Sequence, residues 1–277
     1  MLFRSLWVAE PRRRWLRWFG VATLGSVVAQ GLLGGLTVLF FLPAAISTAH
    51  AGLAEIFFCM TVAIAIFTSP GWIAGYRLGT EPRVGPGAHT GAPLRTLATA
   101  ATVLIYAQIL VGATMRHTGA GLAIPDFPLM FGGVIPDHWS NAIAIHFTHR
   151  VGALLVTIAI LTLLAHVRSR YRDRPELMRP ATLIVALVAV QVTLGALTVL
   201  SGRDPWINSF HVVCGALVLT TSLVITLRTW RGSIADRGLR IADSIADSRR
   251  EAARILDVTH NPIRNPQSAI HNDRARA

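Results

Sequence analysis

The chain has 277 residues, of which 52% are apolar and only 14% charged, with a formal net charge of +12. Soluble domains carry about a quarter charged residues, and the mean hydropathy here is +0.51, which excludes a water-soluble globule as the main body. Nucleic acid is excluded as the reason for the positive charge: all 26 basic residues are arginine, and they gather in short clusters between long apolar runs.

Six such runs, at roughly 18–42, 46–68, 96–115, 142–166, 180–200 and 208–229, can each cross a hydrocarbon core, which takes about 20 helical residues. Lipid offers backbone groups no partner, so continuous runs of this length are helices. The sequence therefore predicts an all-α polytopic membrane bundle of six transmembrane helices. Arg12, Arg13, Arg14 and Arg17 precede the first run, and Arg77, Arg83 and Arg95 lie between the second and third. Arg168, Arg170, Arg172, Arg174 and Arg179 lie between the fourth and fifth, and Arg228 and Arg231 follow the sixth. The opposite side holds only Arg116, Arg150 and Arg203. Positive residues stay on the cytoplasmic side, so both termini are expected inside a bacterial-type cytoplasmic membrane. No cleavable signal peptide is evident. Cys59 and Cys214 fall inside predicted helices 2 and 6, as small buried apolar residues, and the outer loops hold no disulfide. After residue 231 the chain is polar and arginine-rich; an amphipathic helix is expected over 234–256 and disorder over the last twenty residues.

An internal repeat organises these helices. Gln30-Gly-Leu-Leu-Gly-Gly-Leu-Thr-Val-Leu39 matches Gln191-Val-Thr-Leu-Gly-Ala-Leu-Thr-Val-Leu200, and the same offset of 161 (191 − 30) carries His50 onto His211 without a gap. Helices 1–2 and 5–6 thus form two copies of one unit, related as a parallel repeat. Helices 3–4 precede the second copy, while their counterpart before the first would fall ahead of Met1. The expected plan is a remnant of a 4+4 bundle lacking its first two helices. Residues 1–70 form an incomplete N-terminal half, 71–95 a cytoplasmic loop, 96–230 a complete C-terminal half and 231–277 a tail. A start placed too late, or loss of the pair, would each explain this; Met1-Leu-Phe-Arg-Ser-Leu-Trp7 reads as the end of a helix, which favours the first.

Of ten histidines, His89, His166, His260 and His271 read as solvated. His50, His146, His149 and His211 lie near the outer ends of spanning helices. Ionisable groups at such depth usually face the bundle interior and mark sites, and imidazole is a common axial ligand of haem iron. His149 and His211 are the expected haem pair, although intramembrane histidines also serve simply as hydrogen-bonding residues. His146 and His149, spaced i, i+3, also suit zinc, for which no third Cys or carboxylate stands nearby. The segment Arg116-His-Thr-Gly-Ala-Gly-Leu-Ala-Ile-Pro-Asp-Phe-Pro-Leu-Met-Phe-Gly-Gly133 is too apolar for a free linker and is expected to cap a cofactor. Arg116 is either a cation for a haem propionate or a snorkelling residue. Glu55, the one acid within a span, reads as a proton carrier or a packed hydrogen-bonding group.

Taken together, Arg116-His-Thr-Gly-Ala-Gly-Leu-Ala-Ile-Pro-Asp-Phe-Pro128, His149-Arg150, the two Gln-Gly segments, His50 and His211 resemble the heme A synthase family over about residues 12–230. The resemblance implies two four-helix halves, with His149 and His211 ligating a heme b in the C-terminal half. It implies heme O as the substrate, whose methyl group is oxidised to the formyl of heme A, and His50 on the substrate side. The partner of His50 would sit in a Glu-x-x-His-Arg motif on a helix outside this chain. Here the corresponding motif is His146-Phe-Thr-His149-Arg150, with His146 where the other half has its acid. Heme O synthase and oxidase assembly factors are the implied partners, alongside membrane lipid and a homo-oligomeric arrangement. Ile124 and Met130 stand where many members have loop cysteines. A membrane b-type cytochrome that only transfers electrons is the alternative; a non-haem structural or transport protein fits the histidines less well.

Overall fold

Apolar runs in which glycine is scattered and proline rare give helices, and the computed structural model describes residues 13–41, 43–73 and 91–260 of them. Six long helices follow in order: α1 (Arg14–Leu39), α2 (Ala44–Phe67), α3 (Gly91–His117), α4 (Asn141–Arg170), α5 (Pro175–Leu200) and α6 (Pro205–His260). Single turns occur at Pro70–Ile73 and Ala120–Leu122. Each long helix contains a segment long and apolar enough to cross a membrane, ending at Arg231 in α6. The expectations placed on residues 1–12, on Arg77, Arg83 and His89, and on residues 261–277 with His271 lie outside the described residues.

The helices overrun the predicted spans where charged or proline-bearing turns continue the winding beyond the lipid. α4 starts on an N-cap, Ser140, whose hydroxyl accepts from Ile143 N at 3.2 Å. α6 starts under Asp204, whose Oδ1 accepts from Trp206 N and Ile207 N at 2.9 and 3.1 Å. α5 begins at Pro175, a residue suited to a first turn, whereas the apolar run suggested residue 180. Pro180 lies inside this helix and has no N–H for the carbonyl of Glu176, four residues back. Arg228 of α6 supplies the missing donor, with Nη1 on that carbonyl.

Consecutive helices pack as antiparallel neighbours from α1 to α5. α3 and α6 are joined by hydroxyls: Thr102 Oγ1 lies 2.8 Å from Ser222 Oγ and 2.9 Å from Thr226 Oγ1, and Trp230 Nε1 donates to Thr99 Oγ1 at 3.0 Å. In lipid such bonds and close packing of small residues replace the hydrophobic drive between helices. The buried residues match: Ala98, Ala101 and Ala181 sit among Ile105, Ile160, Leu163, Ile184 and Ile225. Large apolar side chains such as Trp18, Leu32 and Leu154 point outward, as a lipid-facing surface requires. Arg13 Nη1 donates to the Phe67 carbonyl at 3.0 Å and closes the α1–α2 hairpin at the end away from His50.

The chain separates into two units, residues 1–230 and 231–277. The first is the bundle. The second is helical as far as His260, and this includes the helix expected over 234–256.

Candidate functional site

Three hairpins each seat one histidine on the partner helix in the same way. The His50 ring of α2 lies over Gly34 of α1, that of His149 on α4 over Gly112 of α3, and that of His211 on α6 over Gly195 of α5. A Cβ on those glycines would stand 3.2, 2.9 and 3.1 Å from the respective Cε1. In all three, Nε2 is the more distant ring nitrogen, at 3.9, 3.9 and 4.0 Å. One turn earlier on each supporting helix stands a glutamine, on the same face by the helical period. Gln30 Nε2 lies 3.4 Å from His50 Nε2 and donates to the His50 carbonyl at 3.0 Å. Gln108 Nε2 lies 3.0 Å from His149 Nδ1 and donates to the His149 carbonyl at 2.7 Å. Gln191 Nε2 lies 3.4 Å from His211 Nε2.

The glycine has a second use. A helical carbonyl at residue i points toward residue i+4, so glycine there opens the approach to the glutamine's own carbonyl. His211 takes that approach, with Nδ1 donating to the Gln191 carbonyl at 3.2 Å. With its proton on Nδ1, the ring keeps the Nε2 lone pair as a base. At His149 the direction is reversed: the Gln108 amide donates to Nδ1, so the proton of the neutral ring sits on Nε2. The sequence marked Gln30 and Gln191 only as part of the repeat, without their role beside the histidines, and missed Gln108, because 41 residues separate it from its histidine against 20 in the other two hairpins. The legible signal was the spacing Gln108-Ile-Leu-Val-Gly112.

His146 and Arg150 are brought together for another purpose: they pin the segment between α3 and α4. Arg150 Nη1 donates to the Leu129 carbonyl at 2.9 Å, and Nη2 to those of Ile124 and Asp126 at 3.1 and 2.7 Å. Arg150 Nε faces His146 Nε2 at 3.2 Å, and Ile124 N approaches His146 Nδ1 at 3.3 Å. A neutral imidazole has one lone pair. The guanidinium keeps its proton, so Nε2 is the acceptor toward Arg150. Ile124 is fully buried beneath the segment.

Asp126 locks the far side of this segment, accepting from Phe131 N and Gly132 N at 2.9 Å each. The backbone N–H groups of Gly132 and Phe131 hold its carboxyl below the ordinary value of 3.8. A depressed carboxylate stabilises the fold above its ordinary value, and that contribution is lost as pH falls through the depressed one. Hydrogen-exchange protection of the Phe131 and Gly132 amides is therefore expected to hold down to about pH 4 and to collapse below it. Asp126→Asn should weaken that protection at neutral pH; protection already lost near neutrality in the native chain would contradict this account.

The remaining predicted residues lie around these elements. Arg116 is exposed at the end of α3, beside the equally exposed His117. Glu55 stands beyond His50 on α2, with Oε2 buried and unpartnered. Cys59 and Cys214 are free thiols. Among the described residues, no group of three or more His, Cys, Asp or Glu comes together to hold a metal ion.

The family model described as "Cytochrome oxidase assembly protein" (COX15-CtaA) matches residues 1–223. A heme A synthase of Symbiobacterium thermophilum is 32% identical over 197 residues, which cover 69% of this chain and 61% of that protein. A heme A synthase of Halalkalibacterium halodurans is 30% identical over 201 residues, 73% of this chain and 64% of the relative. One from Staphylococcus saprophyticus is 26% identical over 215 residues, 76% of this chain and 67% of the relative. The chain thus spans a little under two thirds of the length of the first two relatives. The family match covers five of the six long helices whole, and in α6 extends past His211 to residue 223, so that all three histidine seats lie within it. This integral membrane protein belongs to the cytochrome oxidase assembly protein family.

Proposed function

We propose that the chain acts in heme A biosynthesis as a heme A synthase-type membrane oxidoreductase, oxidising a methyl group of its substrate heme O to a formyl group. The observation that carries this is the pair of glycine-backed seats at His149 and His211, each ring held through Nδ1 by the glutamine one turn before its glycine. A ligating histidine characteristically donates its other ring N–H to a carboxylate, backbone carbonyl or water, as His211 Nδ1 does to the Gln191 carbonyl, which fixes tautomer and orientation. The residues present therefore fit a haem iron between His149 and His211. Heme b held there would supply one-electron transfer toward the substrate.

The chain's own residues do the rest. Gln108 and Gln191 orient the rings, and Gly112 and Gly195 make room for them. The segment pinned by Arg150 and His146 excludes water above, and Arg116 at its edge offers a cation to a propionate. His50 occupies the same kind of seat on the substrate side, and Glu55 offers a buried carboxyl oxygen for holding a proton at Oε2. By the arginine distribution the termini are cytoplasmic and the histidine seats lie toward the outer face. A heme O synthase that releases the substrate, oxidase assembly factors and a second copy of the chain are the partners this reading implies.

A reduced-minus-oxidised absorption spectrum of the purified chain tests it. A low-spin b-type signal is expected, and His149→Ala and His211→Ala should each abolish it. Expressed with a heme O supply, the native chain should yield heme A, and His50→Ala should stop that yield while keeping the b-type signal. Haem retained at full stoichiometry in both single variants would sink the ligand pair. A b-type signal with no heme A would leave the electron-transfer cytochrome.

A further inference from the structure

The end of the bundle opposite the histidines holds a cleft of about 560 Å³ between α2, α5 and α6. Val62, Leu183 and Val224 give it an apolar wall, and Arg179, Arg228 and Thr221 a polar one. Arg228 is the informative residue. Its Nη1 is fixed on the Glu176 carbonyl that Pro180 leaves without a helical donor, and its Nε is buried with no partner. The Glu176 carboxylate lies 3.7 Å from Arg174 instead. Among the described residues, no carboxylate lies within ion-pair distance of either Arg228 or Arg179. A half-buried guanidinium held in place by a neutral carbonyl, with a donor unused, is costly unless an anion meets it.

We propose that this cleft binds the phosphate of an anionic phospholipid, with Arg228 and Arg179 on the phosphate and an acyl chain along Val62, Leu183 and Val224. Phosphate is the anion that a pair of guanidinium groups recognises well. The apolar wall beside them selects the lipid over free phosphate, which would have nothing to place there. Basic pockets between spanning helices near the membrane surface bind lipid headgroups by this chemistry. The site stands apart from the histidine seats and does not depend on haem.

Native mass spectrometry of the full chain in detergent tests the proposal, with phosphatidylglycerol and phosphatidylcholine of identical acyl chains. One phosphatidylglycerol should be retained per chain in preference to phosphatidylcholine. Arg179→Gln and Arg228→Gln should each weaken phosphatidylglycerol retention about fivefold, from the loss of one surface cation, and leave phosphatidylcholine unchanged. Arg228→Gln also removes the donor to Glu176, so helix content is checked by circular dichroism; Arg179→Gln leaves that bond intact and carries the test if the other variant unfolds. Equal retention of both lipids, or undiminished phosphatidylglycerol on Arg179→Gln, overturns the proposal. Inorganic phosphate at millimolar concentration displacing the lipid completely would assign the site to free phosphate and overturn it as well.

Discussion

Replacing Gly112 with valine is expected to abolish haem retention while the helices stay folded. A Cβ at residue 112 would stand 2.9 Å from Cε1 of His149 and 3.4 Å from Nδ1, before the two further methyl groups are added. The ring cannot swing aside, because Gln108 holds both Nδ1 and the His149 carbonyl. Nor can Gln108 yield: it is pressed against Gly152, where a Cβ would meet Oε1 at 2.0 Å. Overpacking of this kind costs about 1–3 kcal/mol, and the cost falls on the ring proposed to hold iron. Gly195→Val, with 3.1 Å to the His211 ring, should act in the same direction. Gly31→Ala is the control, since nothing lies within 4 Å of its Cβ position. It should gain up to about 1 kcal/mol from helix propensity and keep its haem. Haem-to-protein ratio and thermal unfolding of the three variants check the prediction. Full haem retention in Gly112→Val would mean that haem does not depend on the His149 ring in this seat.

The spans were legible because lipid leaves a backbone no alternative to the helix, so a long apolar run is already a structural statement. Their ends were not, because hydropathy registers where lipid stops rather than where winding stops. α5 starts at Pro175, ahead of its apolar run, and α6 continues through a polar stretch with good helix formers. Pro180 within α5 is tolerated only through Arg228, 52 residues away in sequence, and nothing near the proline announces this. The histidines were legible from depth, and two of the three seats from the repeat. The third was hidden by the long segment between Gln108 and His149, which breaks any fixed offset. The joint role of His146 and Arg150 was the least legible. Most of their partners are backbone groups of residues 120–129, which any sequence there would possess, so the pairing exists only once the segment has folded back.

That pairing leads to the second large effect: Arg150→Leu is expected to release the segment between α3 and α4. Leucine keeps some of the aliphatic volume but leaves the carbonyls of Ile124, Asp126 and Leu129 and the His146 ring without their common donor. Hydrogen bonds to a charged group contribute about 1.5–3 kcal/mol each. Part of this is recovered from water, since Leu129 is 44% exposed, and the net cost should be on the order of 2–4 kcal/mol. The loss is local, because the helix cores and the α3–α6 hydroxyl contacts do not involve Arg150. Proteolytic cutting within residues 118–140 should accelerate many-fold, while the helical unfolding temperature changes little. Arg150→Lys should restore only a fraction of the protection, since a single ammonium cannot reach three carbonyls and a ring nitrogen from one position. His149 adjoins Arg150 in sequence, so the released segment should also raise solvent access to the proposed haem seat, seen as faster haem loss to an acceptor protein. If Arg150→Leu left proteolysis unchanged, the segment would be held by the burial of Ile124 alone, and Arg150 would instead be free to meet an anionic group of a bound ligand.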